Sequence, residues 1–136
     1  MTEYKKPIPV PQPWTEEFWK ASTQHKFLIQ HCNDCDTNIF YPRKFCPECW
    51  GSNLSWIESK GKGKLYTFTV TMHGVEPKFM DDLPYVLALV DLDEGIRVMT
   101  RIVNCDHEDL RCDMPVELVW EDVHENFSIY YFQPVK

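Results

Sequence analysis

The sequence contains no long apolar run. None of its apolar stretches approaches the roughly 20 residues that a helix needs to cross a bilayer. The first residues, Met1–Pro7, also lack the apolar segment of a secretory signal. Together these two absences predict a soluble cytoplasmic protein that does not associate with membranes.

Positive charge is scarce as well. Fourteen lysines and arginines stand against 21 aspartates and glutamates, which gives a formal net charge of −7. A protein that binds a polynucleotide by neutralising many phosphates needs the opposite balance, so the charge disfavours nucleic acid as a partner. The hydrophobic share of 43% and the charged share of 26% exclude a disordered or low-complexity chain. A length of 136 residues suits one domain or two small modules.

Six cysteines occur in a chain without a secretory signal, and this favours metal or thiol chemistry over a disulfide framework. Cys32 and Cys35 form one CxxC pair, and Cys46 and Cys49 form a second pair after an interval of ten residues. A CxxC turn directs two thiolates at one ion, and two such turns complete a closed tetrahedral shell. The spacing therefore predicts four metal ligands and a structural zinc ion.

Two other uses of these thiols have to be weighed. Iron of the rubredoxin type suits the same four-sulfur shell and would make the chain an electron carrier. A redox disulfide within each pair would require a thioredoxin-like βαβ context, which the sequence does not show. Cys105 and Cys112 lie apart from the pairs, and the acidic neighbours of Cys105 oppose thiolate formation. We expect no catalytic residues in this chain.

Local patterns before and between the cysteine pairs predict short elements. Residues 7–13 alternate proline with other residues, and this extended arm either lies on a partner or is a free terminus. Thr15 is a predicted N-cap of a helix of about ten residues. Residues 27–29 are predicted to lead into the first pair as a strand, and residues 39–41 to form a hairpin strand between the pairs.

The second half of the chain has the pattern of a β-sheet and follows a polar, glycine-spaced segment at residues 59–64, predicted to be a boundary or turn. The predicted strands are residues 65–71, 85–92, 96–103, 116–123 and 127–132. Asp93-Glu94-Gly95 joins the second and third strands as a hairpin turn. Five short antiparallel strands favour an OB-fold barrel over an open sandwich.

These elements define an α+β, mainly β, fold class in three parts. The predicted parts are an extended proline-rich arm with a helix over residues 1–30, a rubredoxin-like zinc ribbon over residues 31–58, and a C-terminal five-stranded OB-fold barrel over residues 59–136.

Nearly the whole chain resembles one family. The stretches that carry the resemblance are Phe18-Trp19, Gln30-His31-Cys32, Pro42-Arg43, Cys46-Pro47-Glu48-Cys49, Trp56, Gly61-Lys62-Gly63, Pro84–Val90, Asp93–Arg97, Met114–Glu117 and Glu121-Asp122. Their order is similar to that of small proteins with an N-terminal helix, a zinc ribbon and an OB-fold, long classified as a domain of unknown function. Asp36 and Asp113 replace glycines of the family, and Tyr41 stands where proline is frequent. Aspartate tolerates a left-handed backbone, so we expect these turns to persist.

The resemblance implies a partner that carries the chemistry. Proteins of this family are typically bound to thiolase-fold enzymes that act on acyl-CoA esters, so the expected role is a non-catalytic accessory subunit of a hetero-oligomer. A coenzyme A ester is then a ligand of the complex. Lys60, Lys62 and Lys64 form a basic cluster spaced by glycines, and we hypothesise that they contact its phosphates. A solvated lysine-rich turn is the alternative.

A different function class is a single-stranded nucleic-acid-binding module. In an OB-fold barrel, Tyr66, Phe68 and Tyr85 would serve as stacking platforms for bases, and the lysine cluster would attract the phosphates. The net charge of −7 opposes this hypothesis. Binding of short single strands, titrated with salt, separates it from the accessory-subunit hypothesis.

Overall fold

The structure is a computed structural model that describes residues 6–135. Its regular elements are α1 (Glu16–Ser22), β1 (Leu28–Cys32), β2 (Asn38–Ile39), β3 (Leu54–Glu58), β4 (Lys62–Thr71), β5 (Tyr85–Leu92), β6 (Arg97–Ile102), β7 (Pro115–His124) and β8 (Phe127–Pro134), with 3₁₀ turns at Pro77–Asp82 and His107–Asp109. The first five residues of the predicted arm and residue 136 lie outside this range. No helix in the described part is long and apolar enough to cross a membrane.

Helix α1 begins where the sequence predicts but is shorter, with seven residues instead of about ten. Thr15 occupies the N-cap position, yet its Oγ1 accepts a hydrogen bond from the Gln12 amide (2.8 Å) and makes no bond to the helix. The helix ends early because His25 adopts a left-handed φ of 59° and the Lys26 amide donates to the Ala21 carbonyl (3.0 Å). The proline-rich residues before it contain neither helix nor strand.

A three-stranded antiparallel sheet in the order β2-β1-β3 forms the ribbon. The predicted strand at residues 39–41 is wrong in extent, because β2 comprises only Asn38 and Ile39, which pair with His31 and Gln30. The chain leaves this strand at Phe40, whose ring packs instead among aromatic side chains. Strand β3 pairs along the whole of β1 and was not predicted from the sequence.

The five-stranded barrel predicted from the sequence is confirmed. Strands β4 to β8 close in the order β4-β5-β6-β8-β7. Four of the neighbouring pairs are antiparallel, but β6 and β8 pair in parallel through Ile102 and Phe132, so the expectation of a wholly antiparallel barrel is wrong. The barrel core is filled by Leu65, Val86, Ala88, Val90, Leu92, Val98, Ile102, Val116, Val123, Phe127 and Phe132.

The glycine-spaced segment at residues 59–64 is half connection and half strand: residues 59–61 join β3 to β4, and residues 62–64 are the first residues of β4, where the sequence predicted a boundary or turn. A Cβ atom on Gly63 would lie 2.2 Å from the Asp91 carbonyl oxygen, so only glycine allows β4 to approach β5 there. Gly61 has a φ of 71°, and a Cβ atom there would lie 2.7 Å from Leu118 Cβ. These glycines allow close packing against β7 and β5, and Lys60, Lys62 and Lys64, which alternate with them, lie on the outer surface.

An aromatic cluster joins the helix, the ribbon and the barrel. The buried ring of Phe18 lies at its centre, with centroid distances of 4.9 to 6.0 Å to five other rings. Those rings belong to Trp19, Phe27, Phe40, Tyr41 and Tyr130. Edge-to-face arrangements dominate, which adds favourable ring contacts to the burial of apolar area.

Glu94, in the β5–β6 turn, forms a second joint between ribbon and barrel. Its carboxylate accepts hydrogen bonds from Ser59 Oγ (2.7 Å) and the Lys60 amide (3.0 Å). Its backbone carbonyl accepts one from Asn38 Nδ2 (2.8 Å) at the end of β2. The sequence presented Glu94 as part of an acidic turn, whereas the structure gives it a connecting role.

Candidate metal centre

The two CxxC turns have the same backbone geometry. In the first, the Asp36 amide donates to the Cys32 carbonyl (2.9 Å), and in the second the Trp50 amide donates to the Cys46 carbonyl (2.8 Å). The residue that follows each pair is left-handed, with a φ of 58° at Asp36 and 63° at Trp50. The left-handed turn expected at Asp36 is therefore present, and Asp113 likewise has a φ of 71°.

The structure brings the four predicted ligands together. The sulfur atoms of Cys32, Cys35, Cys46 and Cys49 all lie within 4.8 Å of one another. The Sγ atoms of Cys32 and Cys49 are 3.6 Å apart, as are those of Cys35 and Cys46. Zinc–sulfur bonds of about 2.3 Å in a tetrahedron separate sulfur atoms by about 3.8 Å, so the cluster fits zinc with little adjustment.

The pKa values of these thiols show why the cluster suits a cation. Burial opposes ionisation of Cys46, but hydrogen bonds from the amides of Cys49 and Glu48 and from neighbouring sulfurs outweigh it and lower the pKa to about 7. A hydrogen bond from the Gly51 amide favours the Cys49 thiolate, yet the Cys32 sulfur, burial and the remaining sulfurs raise the pKa of Cys49 to about 12. A divalent cation offsets the repulsion among four thiolates and allows all to ionise.

His31, which precedes the ligand Cys32, makes side-chain contacts in and after the first CxxC turn. One ring nitrogen, Nδ1, is 2.7 Å from Asn38 Oδ1, and the other, Nε2, is 3.2 Å from Asp36 Oδ1. The hydrogen bond to Asn38 raises the pKa of His31, desolvation opposes the shift, and Asp36 adds to it. Asn38 also reaches Glu94, so a continuous set of contacts links the first turn to the barrel.

The lysine cluster lies on the outer surface where β4 begins. Lys60, Lys62 and Lys64 are exposed and alternate with buried residues, which places Lys62 and Lys64 on one face of the strand. Acidic residues occupy neighbouring register positions, because Lys62 pairs with Glu117 and Lys64 pairs with Asp91. The cluster is therefore less basic than the sequence alone indicates.

Two of the three proposed stacking residues, Tyr66 and Tyr85, already contact arginine side chains of this chain. The guanidinium carbon of Arg97 lies 3.5 Å from the ring centroid of Tyr66, and that of Arg101 lies 3.9 Å from the ring centroid of Tyr85. Arg97 is further bound to Asp91 by two hydrogen bonds of 2.6 and 3.1 Å. These pairs were not predicted from the sequence. Each arginine covers one face of a tyrosine ring, and a stacked nucleic-acid base would need such a face.

The two remaining cysteines lie outside the four-sulfur cluster. Burial and the carboxylates of Asp109 and Asp106 raise the pKa of the Cys105 thiol, and this keeps it in its unreactive form. Cys112 is exposed.

A closed four-sulfur ribbon joined to a five-stranded barrel defines a class of zinc-ribbon and OB-fold proteins. Two family models describe these parts: residues 19–55 match the rubredoxin-like zinc ribbon domain of ChsH2, and residues 56–121 match its C-terminal OB-fold domain. A DUF35 domain-containing scaffold protein of Methanocaldococcus jannaschii is 38% identical over 126 residues, which are 87% of this chain and 89% of that protein. The chain belongs to the DUF35 family, to which the ribbon and OB-fold of ChsH2 also belong.

Several relatives are named as subunits of acyl-CoA enzymes. A probable enoyl-CoA hydratase alpha subunit of Thermomonospora curvata is 34% identical over 86% of this chain, which spans only 36% of that relative's length. Benzoylsuccinyl-CoA thiolase subunit BbsA of Thauera aromatica is 30% identical over 70% of this chain and 63% of its own length. Among solved structures, the Ltp2-ChsH2(DUF35) aldolase contains a similar chain with a TM-score of 0.82 and 31% identity, covering 93% of this chain and 98% of that one.

Proposed function

We propose that this chain is a non-catalytic accessory subunit of a heteromeric acyl-CoA enzyme whose catalytic subunit has a thiolase fold. The observation that carries the proposal is the near full-length similarity to the chain in the Ltp2-ChsH2(DUF35) aldolase. Relatives named as a scaffold protein and as a thiolase subunit support the same role. The metal centre supports it too, because a shell closed by four sulfurs leaves no coordination position for a substrate.

The narrower proposal names the reaction. The resemblance to the zinc-finger subunit of benzoylsuccinyl-CoA thiolase, an enzyme of anaerobic toluene degradation, makes that thiolase the first complex to assay. The identity of 30% to its BbsA subunit gives this choice limited support. Other acyl-CoA thiolases and aldolases are the next candidates.

The four cysteines of the ribbon are the proposed ligands of a structural zinc ion. When bound, zinc supplies charge balance and crosslinks the two turns, and both effects contribute folding free energy. The amide of Glu48 donates to Cys46 Sγ (3.4 Å), and this contact orients one ligand. Iron in the same shell would colour the purified protein red, so its absorption spectrum and zinc content together identify the metal.

Exposed apolar residues along the N-terminal arm offer part of the surface for such a partner. Val10 is 80% exposed, Ile8 is 51% exposed and Trp14 is 37% exposed. Lys6, at the start of the described arm, forms an ion pair of 2.6 Å with Asp82 in the loop between β4 and β5. The arm is thus held to the barrel at one end while its apolar side chains face outward, an arrangement typical of interaction segments.

The proposal is tested by complex formation. The tagged chain, isolated from its native cell extract at moderate salt, is expected to retain a thiolase-fold protein that mass spectrometry identifies. The two purified proteins are then expected to co-elute in gel filtration and to show acyl-CoA activity. Recovery of nucleic acid, or of no thiolase-fold protein, would contradict the proposal and favour an independent OB-fold binding module.

Contact between the lysine cluster and coenzyme A is a separate proposal within this complex. Charge reversal of Lys60, Lys62 and Lys64 to glutamate is expected to raise the KM for the CoA ester on the order of tenfold, because phosphate contacts would become repulsive. The matched control reverses Lys20, Lys26 and Lys78, which are also exposed. An unchanged KM in the first triple variant rules out the contact.

A further inference from the structure

Trp50 combines two features that burial in this chain does not explain. Its side chain is 77% exposed, whereas Trp19 is 7% exposed and Trp56 and Trp120 pack against the core. Its backbone has a φ of 63°, a left-handed conformation that is unfavourable for a bulky residue. The indole therefore contributes little to the stability of the folded chain, although it is attached to a backbone in an unfavourable conformation.

The next residue, Gly51, is a glycine at a position where the backbone is not left-handed. A Cβ atom there would lie 2.9 Å from Asp34 Oδ2 and 3.3 Å from Cys49 Sγ. Glycine at position 51 is therefore explained by close packing. The adjacent position, where glycine would relieve the backbone, carries tryptophan instead.

The rest of this turn, residues 43–51, here called the ribbon tip, continues the exposed surface. Phe45 is 45% exposed, and the ammonium group of Lys44 lies 5.7 Å from its ring centroid. Arg43 is also exposed, and Glu48 is the one acidic residue of this segment. Hydrogen bonds from the Trp50 amide to the Cys46 carbonyl (2.8 Å) and from the Cys46 amide to the Gly51 carbonyl (2.9 Å) hold the loop in place.

We infer that the ribbon tip is a preformed anchor, with Trp50 as its central side chain, that inserts into an apolar pocket of the catalytic partner subunit. This inference rests on the proposed function. A convex tip that displays an indole and a phenyl ring is complementary to a concave apolar surface. Two basic residues against one acidic residue, in a chain of net charge −7, make the tip complementary to a pocket with carboxylates at its rim.

A rigid anchor has an energetic advantage over a mobile loop. The backbone bonds of the turn and the crosslinked cysteines fix the loop before binding, so little conformational entropy is lost when the indole is buried. Large aromatic side chains at fixed positions carry a disproportionate share of binding energy in protein interfaces. Loss of the indole is therefore expected to weaken the complex far more than its share of the interface area alone would predict.

Trp50→Gly separates binding from folding because the two effects have opposite signs. The variant is expected to have a Tm equal to or above that of the wild type, since glycine suits the left-handed backbone. Its Kd for the purified thiolase-fold subunit, measured by calorimetry, is expected to be about 30-fold weaker or more. Asp113→Gly is the matched control, because it relieves a φ of 71° on the barrel and should leave the Kd unchanged.

Two further variants define the chemistry of the pocket. Trp50→Phe keeps the backbone unfavourable but retains an aromatic ring, so it is expected to bind more tightly than Trp50→Gly. Reversing Arg43 and Lys44 to glutamate is expected to slow association and to reverse its salt dependence, because salt then screens a repulsion instead of an attraction.

Three other outcomes would each contradict the anchor, and the last would contradict the proposed function as well. A wild-type Kd for Trp50→Gly overturns the anchor but leaves the accessory-subunit proposal intact. A dimer of the chain alone that is lost in Trp50→Gly assigns the tip to self-association and also overturns it. A wild-type chain that fails to bind the thiolase-fold subunit overturns the proposed function and the anchor together.

Discussion

Replacing Cys46 with serine is expected to abolish stoichiometric zinc binding and to unfold at least the two cysteine turns. Cys46 is fully buried among the other three sulfurs, and its thiol has the lowered pKa of about 7. Loss of one ligand of four is expected to weaken zinc binding by more than about 100-fold, and that binding free energy is folding free energy. Zinc content by elemental mass spectrometry and amide dispersion by NMR measure the two effects.

Cys112→Ser is the control for this experiment. Cys112 is exposed and lies outside the four-sulfur cluster, so its replacement is expected to leave zinc content and amide dispersion unchanged. The barrel strands of the Cys46→Ser variant are expected to remain folded in the absence of urea, because their ladder closes without the ribbon, but at reduced stability, because the contact of Phe40 with Tyr130 is lost. Wild-type zinc content and dispersion in Cys46→Ser would refute a structural metal at these ligands.

The sequence was most informative where a chemical requirement or a strong pattern is local. The CxxC spacing identified the four sulfurs that the structure clusters, because each turn is a local structure. The apolar run at residues 85–92 predicted β5 to the residue, since both its ends are bounded by turn-forming residues. The hairpin turn at Asp93-Glu94-Gly95 was predicted for the same reason, and Gly95 has a φ of 85° there.

Elements that depend on distant parts of the chain were missed. Strand β3 has no clear alternation of apolar and polar residues, and it becomes a strand because β1 offers it a free edge, with Trp56 opposite Gln30. Likewise, Glu94 accepts a hydrogen bond from Ser59, which lies 35 positions earlier in the sequence. This contact exists only when the β5–β6 hairpin packs beside the segment that joins β3 to β4. Such contacts follow from tertiary packing, which local propensity does not contain.

The glycine-lysine segment differs from the prediction in its second half, for a different reason. Glycines between polar residues usually mark a boundary or a turn, and the whole segment was predicted as one. Here Gly63 permits the backbones of β4 and β5 to approach, a use of glycine that depends on the neighbouring strand. The same glycine-lysine composition is therefore compatible with a turn and with a closely packed strand. Here the contact of Gly63 with the backbone of Asp91 explains the strand.

Replacing Phe18 with alanine is expected to destabilise the protein by about 3–5 kcal/mol, the usual cost of deleting a fully buried phenyl ring. Phe18 is 0% exposed and contacts rings from the helix, the ribbon and the barrel. Neighbours from three different elements cannot all move into the cavity without breaking their own contacts, which places the cost toward the upper part of this range. Urea unfolding followed by circular dichroism measures the change.

The same variant tests whether ribbon and barrel share one folding unit. Because Phe27 and Phe40 come from the ribbon and Tyr130 from the barrel, loss of the ring between them is expected to lower the urea midpoints of both zinc release and barrel unfolding. Phe45→Ala is the matched control, since Phe45 is 45% exposed and its replacement is expected to cost less than about 1 kcal/mol. A Phe18→Ala variant that lowers only one midpoint would show that ribbon and barrel fold separately.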